Sequence, residues 1–476
     1  MYKRQIIAKT VRVTNLGINP NQLINKEKLL ISLKLIFPDK NFEKEINGKK
    51  FFYVKKKISP TKLEKVKLLG EKSFKEEENI ARVYPNGNLF SHILGQIDTD
   101  NNGVSGIEKS FDYELTTSNK PLKLSLDTEI QYLIREELIK FQEIFNSYGS
   151  TAILMNVNSG EILSMVSLPD FDLNKRDDIS DRKFINRSTK GVYELGSVFK
   201  TFTLAAGLQQ NVIQEDTLFK NLPKKIKCAG RSISEYDMDI PSSLTAEEIL
   251  IRSGNIGSIK IAQKVGLENF KDFLENLDLL NKIQFDIEEV GNPIPFKWGK
   301  CKLATSAYGH GITTTPLQLA KAYAIIANGG YKIKPTLIKK EKNLKRGEQI
   351  ITQENSNKIN EILRKIVTSE QGTANLANIA GYEIAGKTGT AQKSIKGKYS
   401  KKKINTFASI FPISSPKYVL IVLLDEPKLS ETYIYEYNDG KKRKIIGTPF
   451  NTAGWTSVEV AKNIIEKIGP ILAIKY

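Results

Sequence analysis

The sequence predicts an α+β protein in two parts, a charged module over residues 1–121 and a larger domain over residues 122–476. Three observations carry this prediction. Short apolar stretches in the first part are punctuated by Gly87, Gly95, Gly103 and Gly106, the pattern of an irregular, non-catalytic module. Residues 127–145 then set Ile130, Leu133, Ile134, Leu138 and Phe141 at helical spacing, and this helix opens the second domain. β-Rich runs fall at both ends of that domain with helical segments between them, so one sheet is assembled from remote parts of the chain.

Within the second domain, residues 151–157 and 161–167 read as two strands joined across Asn158-Ser159-Gly160, a hairpin signal. Helical segments dominate from there to Glu383. A strand series then begins at Ile384-Ala385-Gly386-Lys387-Thr388-Gly389-Thr390 and continues over 407–411 and 418–424. Residues 451–468 close the chain as a helix, with Val458, Val460, Ile464, Ile465 and Ile468 apolar. No internal repeat or low-complexity tract interrupts the pattern.

Composition narrows the function. With 476 residues, 40% hydrophobic and 26% charged, the chain has the make-up of a folded protein of two or three domains. The net charge of +19 is spread in Lys-rich patches, with no aromatic-interleaved stripe, zinc spacing or helix-turn-helix signature, which argues against nucleic acid as a partner. A solvated basic surface, or a basic face toward anionic lipid headgroups, fits the charge. Cys228 and Cys301 are too few for a disulfide scaffold and match no metal spacing, and the sequence leaves open whether they pair. His92 and His310 are the only histidines and neither adjoins a G-x-S-x-G elbow, so a lysine is the expected proton acceptor of any serine nucleophile. His310, flanked by glycines, is read as structural, and no metal is expected. No run of about 18 apolar residues exists to cross a membrane, and the opening Met1-Tyr2-Lys3-Arg4-Gln5 has no targeting pattern, so a truncated start is expected.

Three strings carry the chemistry: Ser197-Val198-Phe199-Lys200, Ser253-Gly254-Asn255 and Lys387-Thr388-Gly389-Thr390. S-x-x-K recurs at Ser59/Lys62, Ser180/Lys183, Ser400/Lys403 and Ser414/Lys417, but S-x-N and K-T-G each occur once, and only Ser197 precedes both while opening an apolar run. Together they form the S-x-x-K, S-x-N and K-T-G set of the penicillin-interacting serine acyl-enzymes. With Ser197 in the first turn of a helix, Lys200 follows one turn later and its amine is expected to reach the serine hydroxyl. The helix start would aim backbone N–H groups at the oxygen under attack. To accept a proton, Lys200 needs a pKa lowered by burial or by a second cation, which Lys387 is placed to supply. Ser253 and Asn255 bring a hydroxyl and an amide to one loop rim. Lys387, Thr388 and Gly389 read as an edge strand, where Gly389 admits a substrate backbone and the cation and hydroxyl face a carboxylate. Tyr193 and Glu194 are read as shaping the approach to the nucleophile, and Gly372-Thr373-Ala374 as a loop near the sheet.

From about residue 80 onward the chain resembles the class B penicillin-binding proteins, the monofunctional D,D-transpeptidases of cell-wall synthesis, and most of all the division-septum type. The strings that carry the likeness are Arg82-Val83-Tyr84-Pro85, Gly103-Val104-Ser105-Gly106-Ile107-Glu108, Tyr193-Glu194-Leu195-Gly196-Ser197, Tyr308-Gly309-His310-Gly311 with Thr315-Pro316-Leu317-Gln318, and Gly386-Lys387-Thr388-Gly389-Thr390-Ala391-Gln392. The resemblance implies an N-terminal pedestal over 1–121 and, over 122–476, the penicillin-binding/β-lactamase-like fold of an antiparallel sheet covered by helices. It implies that Ser197 attacks the penultimate D-Ala carbonyl of a peptidoglycan stem, with the N–H groups of Ser197 and Thr390 as oxyanion hole. Ser253 would pass a proton toward the leaving amine, and Asn255 would bond the substrate backbone or the lysine. Lys387 and Thr388 would hold the carboxylate. β-Lactams would acylate the same serine, and no cofactor is implied. Implied partners are peptidoglycan stems, a membrane glycan polymerase and other division proteins, at the periplasmic face of the inner membrane. The family's membrane helix and its Arg-Gly-x-Ile-x-Asp-Arg pedestal strand are missing from the sequence, which agrees with the expected truncation. Alternative readings are an elongation-type transpeptidase, a serine β-lactamase using Glu288 or Glu289 beside Asn292, and a non-catalytic β-lactam sensor.

Overall fold

The first strand, β1 (Lys9–Ile18), is exposed where it begins and buried where it ends, with Leu16 and Ile18 fully covered. What covers them follows in order. Helix α1 (Lys26–Ile36) starts at Asn25, whose side chain accepts the Lys28 N–H, and turns Leu29 and Leu33 inward one helical turn apart. Strand β2 (Phe52–Ile58), helix α2 (Pro60–Lys67) and strand β3 (Phe74–Val83) complete the set. The strands pair antiparallel in the order β2-β1-β3, and Leu16, Ile18, Leu29, Leu33, Val54 and Val66 share one core. The structure is a computed structural model and describes residues 5–175, 182–228, 230–340, 346–395, 397–437 and 443–476.

Packing divides the chain into two units, one running to Gly87 and including Asp98–Asn101, the other comprising Asn88–Ile97 and Asn102–Tyr476. Residues 88–97 and 102–121, which the sequence reading groups with the first module, thus fold with the second unit. Their polar groups show why: Gln131 Nε2 donates to the Leu89 carbonyl at 2.9 Å and Asn186 Nδ2 to that of His92 at 3.0 Å.

In the second unit, α3 (Thr128–Ile144) is capped by Asp127, which accepts the Glu129 and Ile130 N–H groups, and buries Ile130, Ile134, Leu138 and Phe141 as the periodicity predicts. Strands β4 (Gly149–Asn156) and β5 (Ile162–Leu168) form the expected hairpin. Helix α4 (Lys200–Gln209) is followed by a short hairpin of β6 (Lys225–Cys228) and β7 (Arg231–Ser234), and then by α5 (Asn255–Val265), α6 (Lys300–Ser306), α7 (Pro316–Ala327) and α8 (Gln353–Thr368). The chain returns to the sheet with β8 (Ala385–Ile395), β9 (Lys398–Phe411) and β10 (Tyr418–Asp425), and ends in α9 (Ser457–Lys475).

The five strands run antiparallel in the order β8-β9-β10-β4-β5, so the late strands dock beside the early hairpin and β8 is an edge. Every residue of β10 is buried, which requires cover on both faces. Helices α3 and α9 pack on each other and on the sheet, and α7 packs against β4, β9 and β10. The closing helix departs from expectation at both ends. It starts at Ser457 rather than 451 because the preceding chain is tied to the sheet: Ala453 N–H donates to Thr390 Oγ1 and Asn451 Nδ2 to the Pro427 carbonyl. It continues past 468, through Pro470, with Leu472 still buried.

Cys228 and Cys301 form a disulfide, with Cα atoms 5.6 Å apart, and so tie the β6–β7 hairpin to α6. This answers what the sequence left open, and it fits an oxidising compartment.

Candidate active site

Ser197 stands in a 3-10 turn, Gly196–Phe199, that runs directly into α4. Three glycines let three chain segments meet there. A Cβ on Gly389 of β8 would lie 2.1 Å from the Leu195 carbonyl oxygen, one on Gly309 would lie 1.9 Å from that of Gly196, and Gly196 itself, at φ +62°, faces the Thr390 carbonyl. The edge strand, the turn that carries Ser197 and the Tyr308-Gly309-His310-Gly311 loop are therefore in backbone contact.

Lys200 is the first residue of α4 and only 2% exposed. Its amine donates to the backbone carbonyl of Ser253 and to Ser253 Oγ at 3.1 Å. Lys387, wholly buried on β8, donates to the same Oγ at 2.9 Å and to the Thr388 carbonyl at 3.2 Å. One hydroxyl thus joins two lysines. Ser253 achieves this in the left-handed region, at φ +58°, a conformation that costs a non-glycine residue about 1–3 kcal/mol and concentrates at functional sites. The sequence reading had Lys200 reaching the Ser197 hydroxyl. Among the described residues it bonds Ser253 instead, because the twisted Ser253 backbone presents carbonyl and hydroxyl to it together.

Burial lowers the Lys200 pKa to about 7, against an opposing pull from the Glu235 carboxylate. Burial also takes Lys387 well below the ordinary lysine value, and the Lys200 charge adds to this. Desolvation, and not the second cation expected from the sequence, lowers Lys200, and the repulsion between the two amines is felt at Lys387.

Asn255 opens α5. Its side-chain amide donates to the Ser234 carbonyl at 2.9 Å, so the lysine is not its partner among the described residues. Its backbone N–H and that of Ile256 donate to the two carboxylate oxygens of Glu235, at 2.6 and 2.8 Å. Glu235 therefore caps the helix that carries the S-x-N loop, where an anion is favoured by the unpaired N–H groups. Thr388 Oγ1 lies 2.6 Å from Thr373 Oγ1, which fixes the hydroxyl at the strand edge. Glu235 and Thr373 escaped the sequence reading: no spacing rule links either to a motif, and Thr373 was placed only in a loop near the sheet.

Glu288 and Glu289 are engaged elsewhere. Glu288 pairs with Lys109 at 2.8 Å, and Glu289 accepts the Gly106 N–H at 3.1 Å. His310 stacks between Tyr308 and Tyr399, with ring centroids 5.8 and 4.7 Å away, and His92 is buried with its Nε2 3.1 Å from the Pro169 carbonyl oxygen.

Residues 150–451 match the family model described as the penicillin binding protein transpeptidase domain. This chain belongs to that family. Residues 2–136 of this penicillin-binding protein match a second model, the penicillin-binding protein dimerisation domain. The chain is 31% identical over 453 residues to a probable peptidoglycan D,D-transpeptidase FtsI of Caulobacter vibrioides, covering 92% of this chain and 74% of the relative. Among solved structures it is similar to the transpeptidase domain of Burkholderia pseudomallei penicillin-binding protein 3, at 26% identity and a TM-score of 0.63 over 74% of this chain and 97% of that one. Penicillin-binding protein 3 of Mycobacterium tuberculosis, complexed with aztreonam, shares the fold at a TM-score of 0.71 and 24% identity, over 84% and 92% of the two chains.

Proposed function

We propose that this penicillin-binding protein is a peptidoglycan D,D-transpeptidase that works through a Ser197 acyl-enzyme. The observation that carries the reading is the pair of buried lysines on one serine hydroxyl, beside a nucleophile turn that an edge strand covers. A stem peptide ending in D-Ala-D-Ala lies along β8 as an added strand, its terminal carboxylate on Lys387 and Thr388. Lys200, its pKa near neutrality, takes the Ser197 proton as Oγ attacks the penultimate carbonyl. The N–H groups of Ser197 and Thr390 receive the oxyanion. As the C–N bond breaks, Ser253 hands a proton from the lysines to the departing D-Ala nitrogen, and Asn255 holds the substrate backbone. An amine on a second stem then attacks the ester carbonyl, forms the crosslinking amide and returns the proton to Ser197.

A β-lactam offers the same carbonyl and carboxylate and acylates the same oxygen. Glu288 and Glu289, committed to Lys109 and Gly106, supply no base for deacylation, which supports a synthase over a β-lactamase. We further propose that the protein works at the division septum, on the periplasmic face of the inner membrane, with a membrane glycan polymerase and division proteins as partners, a reading that the likeness to an FtsI relative supports. The Cys228–Cys301 bond supports such an oxidising compartment. Among the described residues no helix is long and apolar enough to cross a membrane. In this reading the first unit, Met1–Gly87 with Asp98–Asn101, serves as the non-catalytic pedestal, and the rest of residues 1–121 joins the catalytic unit.

The test is intact mass after incubation with fluorescent penicillin, run beside Ser197→Ala and followed for hours. The expected result is one stable adduct on the wild-type chain alone. Rapid loss of the adduct with release of hydrolysed drug would make the protein a β-lactamase, and a folded chain that takes no label would overturn the reading altogether.

A further inference from the structure

Glu194, three residues before the nucleophile, carries a carboxylate that the mechanism above does not use. It is the floor of a small aromatic enclosure. Its Oε2 accepts the Gly311 N–H at 2.8 Å, and the Tyr399 hydroxyl donates to its two oxygens at 2.9 and 3.1 Å. His310 Nδ1 stands 3.8 Å from Oε2, and the His310 ring is stacked between Tyr308 and Tyr399. The His310 side chain and Tyr399 are each 41% exposed, and Glu194 beneath them 14%, so the enclosure is open on one side. Among the described residues no lysine or arginine lies within ion-pair distance of Glu194. The neighbouring Lys302 bonds the Gly311 carbonyl and lies over the face of Phe296, so its charge acts on Glu194 from a distance without pairing with it. A carboxylate with four acceptor positions under a row of aromatic faces is chemistry suited to a primary ammonium.

Its place along the sheet indicates whose ammonium. A donor stem on β8 has its carboxylate at Lys387 and Thr388 and its reacting carbonyl at Gly389 and Thr390, so its upstream residues run beside Ala391 to Ser394 at about 3.3 Å each. Tyr399 is the partner of Ser394 across the β8–β9 ladder and brings the enclosure to that end of the edge. Crosslinking needs an amine on the stem, and donor and acceptor stems are of one kind, so the donor too carries that amine upstream of the scissile bond.

We propose that Glu194, walled by His310 and Tyr399, binds the side-chain ammonium of a peptidoglycan stem, that of the donor. The inference rests on the transpeptidase reading, and its test separates the two. Penicillin labelling counts active sites. D-Ala release per labelled site is then measured for a stem pentapeptide bearing lysine at the amine position, with that amine free or acetylated. The free-to-acetylated ratio, taken within each variant so that general losses cancel, should be about ten or more in the wild type. It should fall to within about two-fold of unity in Glu194→Gln, whose amide oxygen still accepts from Gly311, and drop partway in His310→Ala. In a second arm the acetylated donor is paired with a free-amine stem tripeptide, and crosslinked product is compared with hydrolysed product. A flat donor ratio with a fall in crosslinking confined to the variants would retain the ammonium site but assign it to the acceptor. Ratios indifferent to Glu194→Gln in both arms would overturn the site, while a wild-type chain that penicillin does not label would remove the Ser197 reading and this one with it.

Discussion

Lys62 and Lys200 each follow a serine by three residues near a helix start, and burial is what separates them. Lys62 is exposed, whereas Lys200 is buried and its amine sits near pKa 7. The motif arithmetic singles out Ser197 without access to that difference, because S-x-N and K-T-G have to be matched as well. It had no means of finding Glu235 or Thr373, which act through contacts that fold-distant segments make: two N–H groups at the start of α5, and a hydroxyl beside Thr388. The burial gives a kinetic prediction. In the proposed mechanism Lys200 takes the Ser197 proton only as the free amine, so the penicillin acylation rate should rise with pH through about 7 and level off above it, and fall as the amine is protonated below. Lys200→Arg keeps a cation that does not deprotonate and should slow acylation by about 10²–10⁴. Stopped-flow acylation between about pH 5.5 and 9 measures both. A rate flat across that range, or one that the arginine leaves intact, would remove Lys200 from the proton path.

At the scale of elements, the edge strand matters for how closely it approaches the nucleophile turn. Sequence pattern located the hairpin of β4 and β5 and the strand series from 384, because alternation and turn chemistry are local signals. It did not show that β8 lies against residues 195–198, since that contact is set by the return of the chain through α8. Nor did it set the start of α9, where Ala453 and Asn451 are held by tertiary hydrogen bonds that override a helical pattern. Gly389 is where the approach is tightest. In Gly389→Ala the added methyl would stand 2.1 Å from the Leu195 carbonyl oxygen, just before the turn that carries Ser197, and 3.0 Å from Val198 Cγ1 within it. Strand and turn must separate by about 1 Å, a misplacement worth roughly 10² in rate. Penicillin acylation should drop by that factor while far-UV circular dichroism stays unchanged. Full acylation would mean that the strand does not need to sit so close.

The molecule as a whole has two cores, and its two cysteines fall in one of them. The smaller core gathers Leu16, Ile18, Leu29, Leu33, Val54 and Val66, and the larger is organised around the five-stranded sheet. Two cores of such unequal size, each closed by its own residues, should melt as separate cooperative events, so calorimetry of the full chain is expected to show two transitions. Cys228 and Cys301 both lie in the second unit, 73 residues apart in sequence. Opening that link restores chain freedom to the unfolded second unit alone, by roughly 4 kcal/mol on the loop-entropy scale. Reduction, or Cys228→Ser with Cys301→Ser, should therefore lower one transition by on the order of 5 °C and leave the other in place. The loss should extend to rate, because the β6–β7 hairpin that the disulfide ties down leads directly to Ser234 and Glu235, which hold the start of α5 beside Ser253. A single transition that moves as one on reduction would show the two units unfolding together. A second-unit transition indifferent to reduction would mean that the sheet and its helices hold the hairpin without the sulfur bridge.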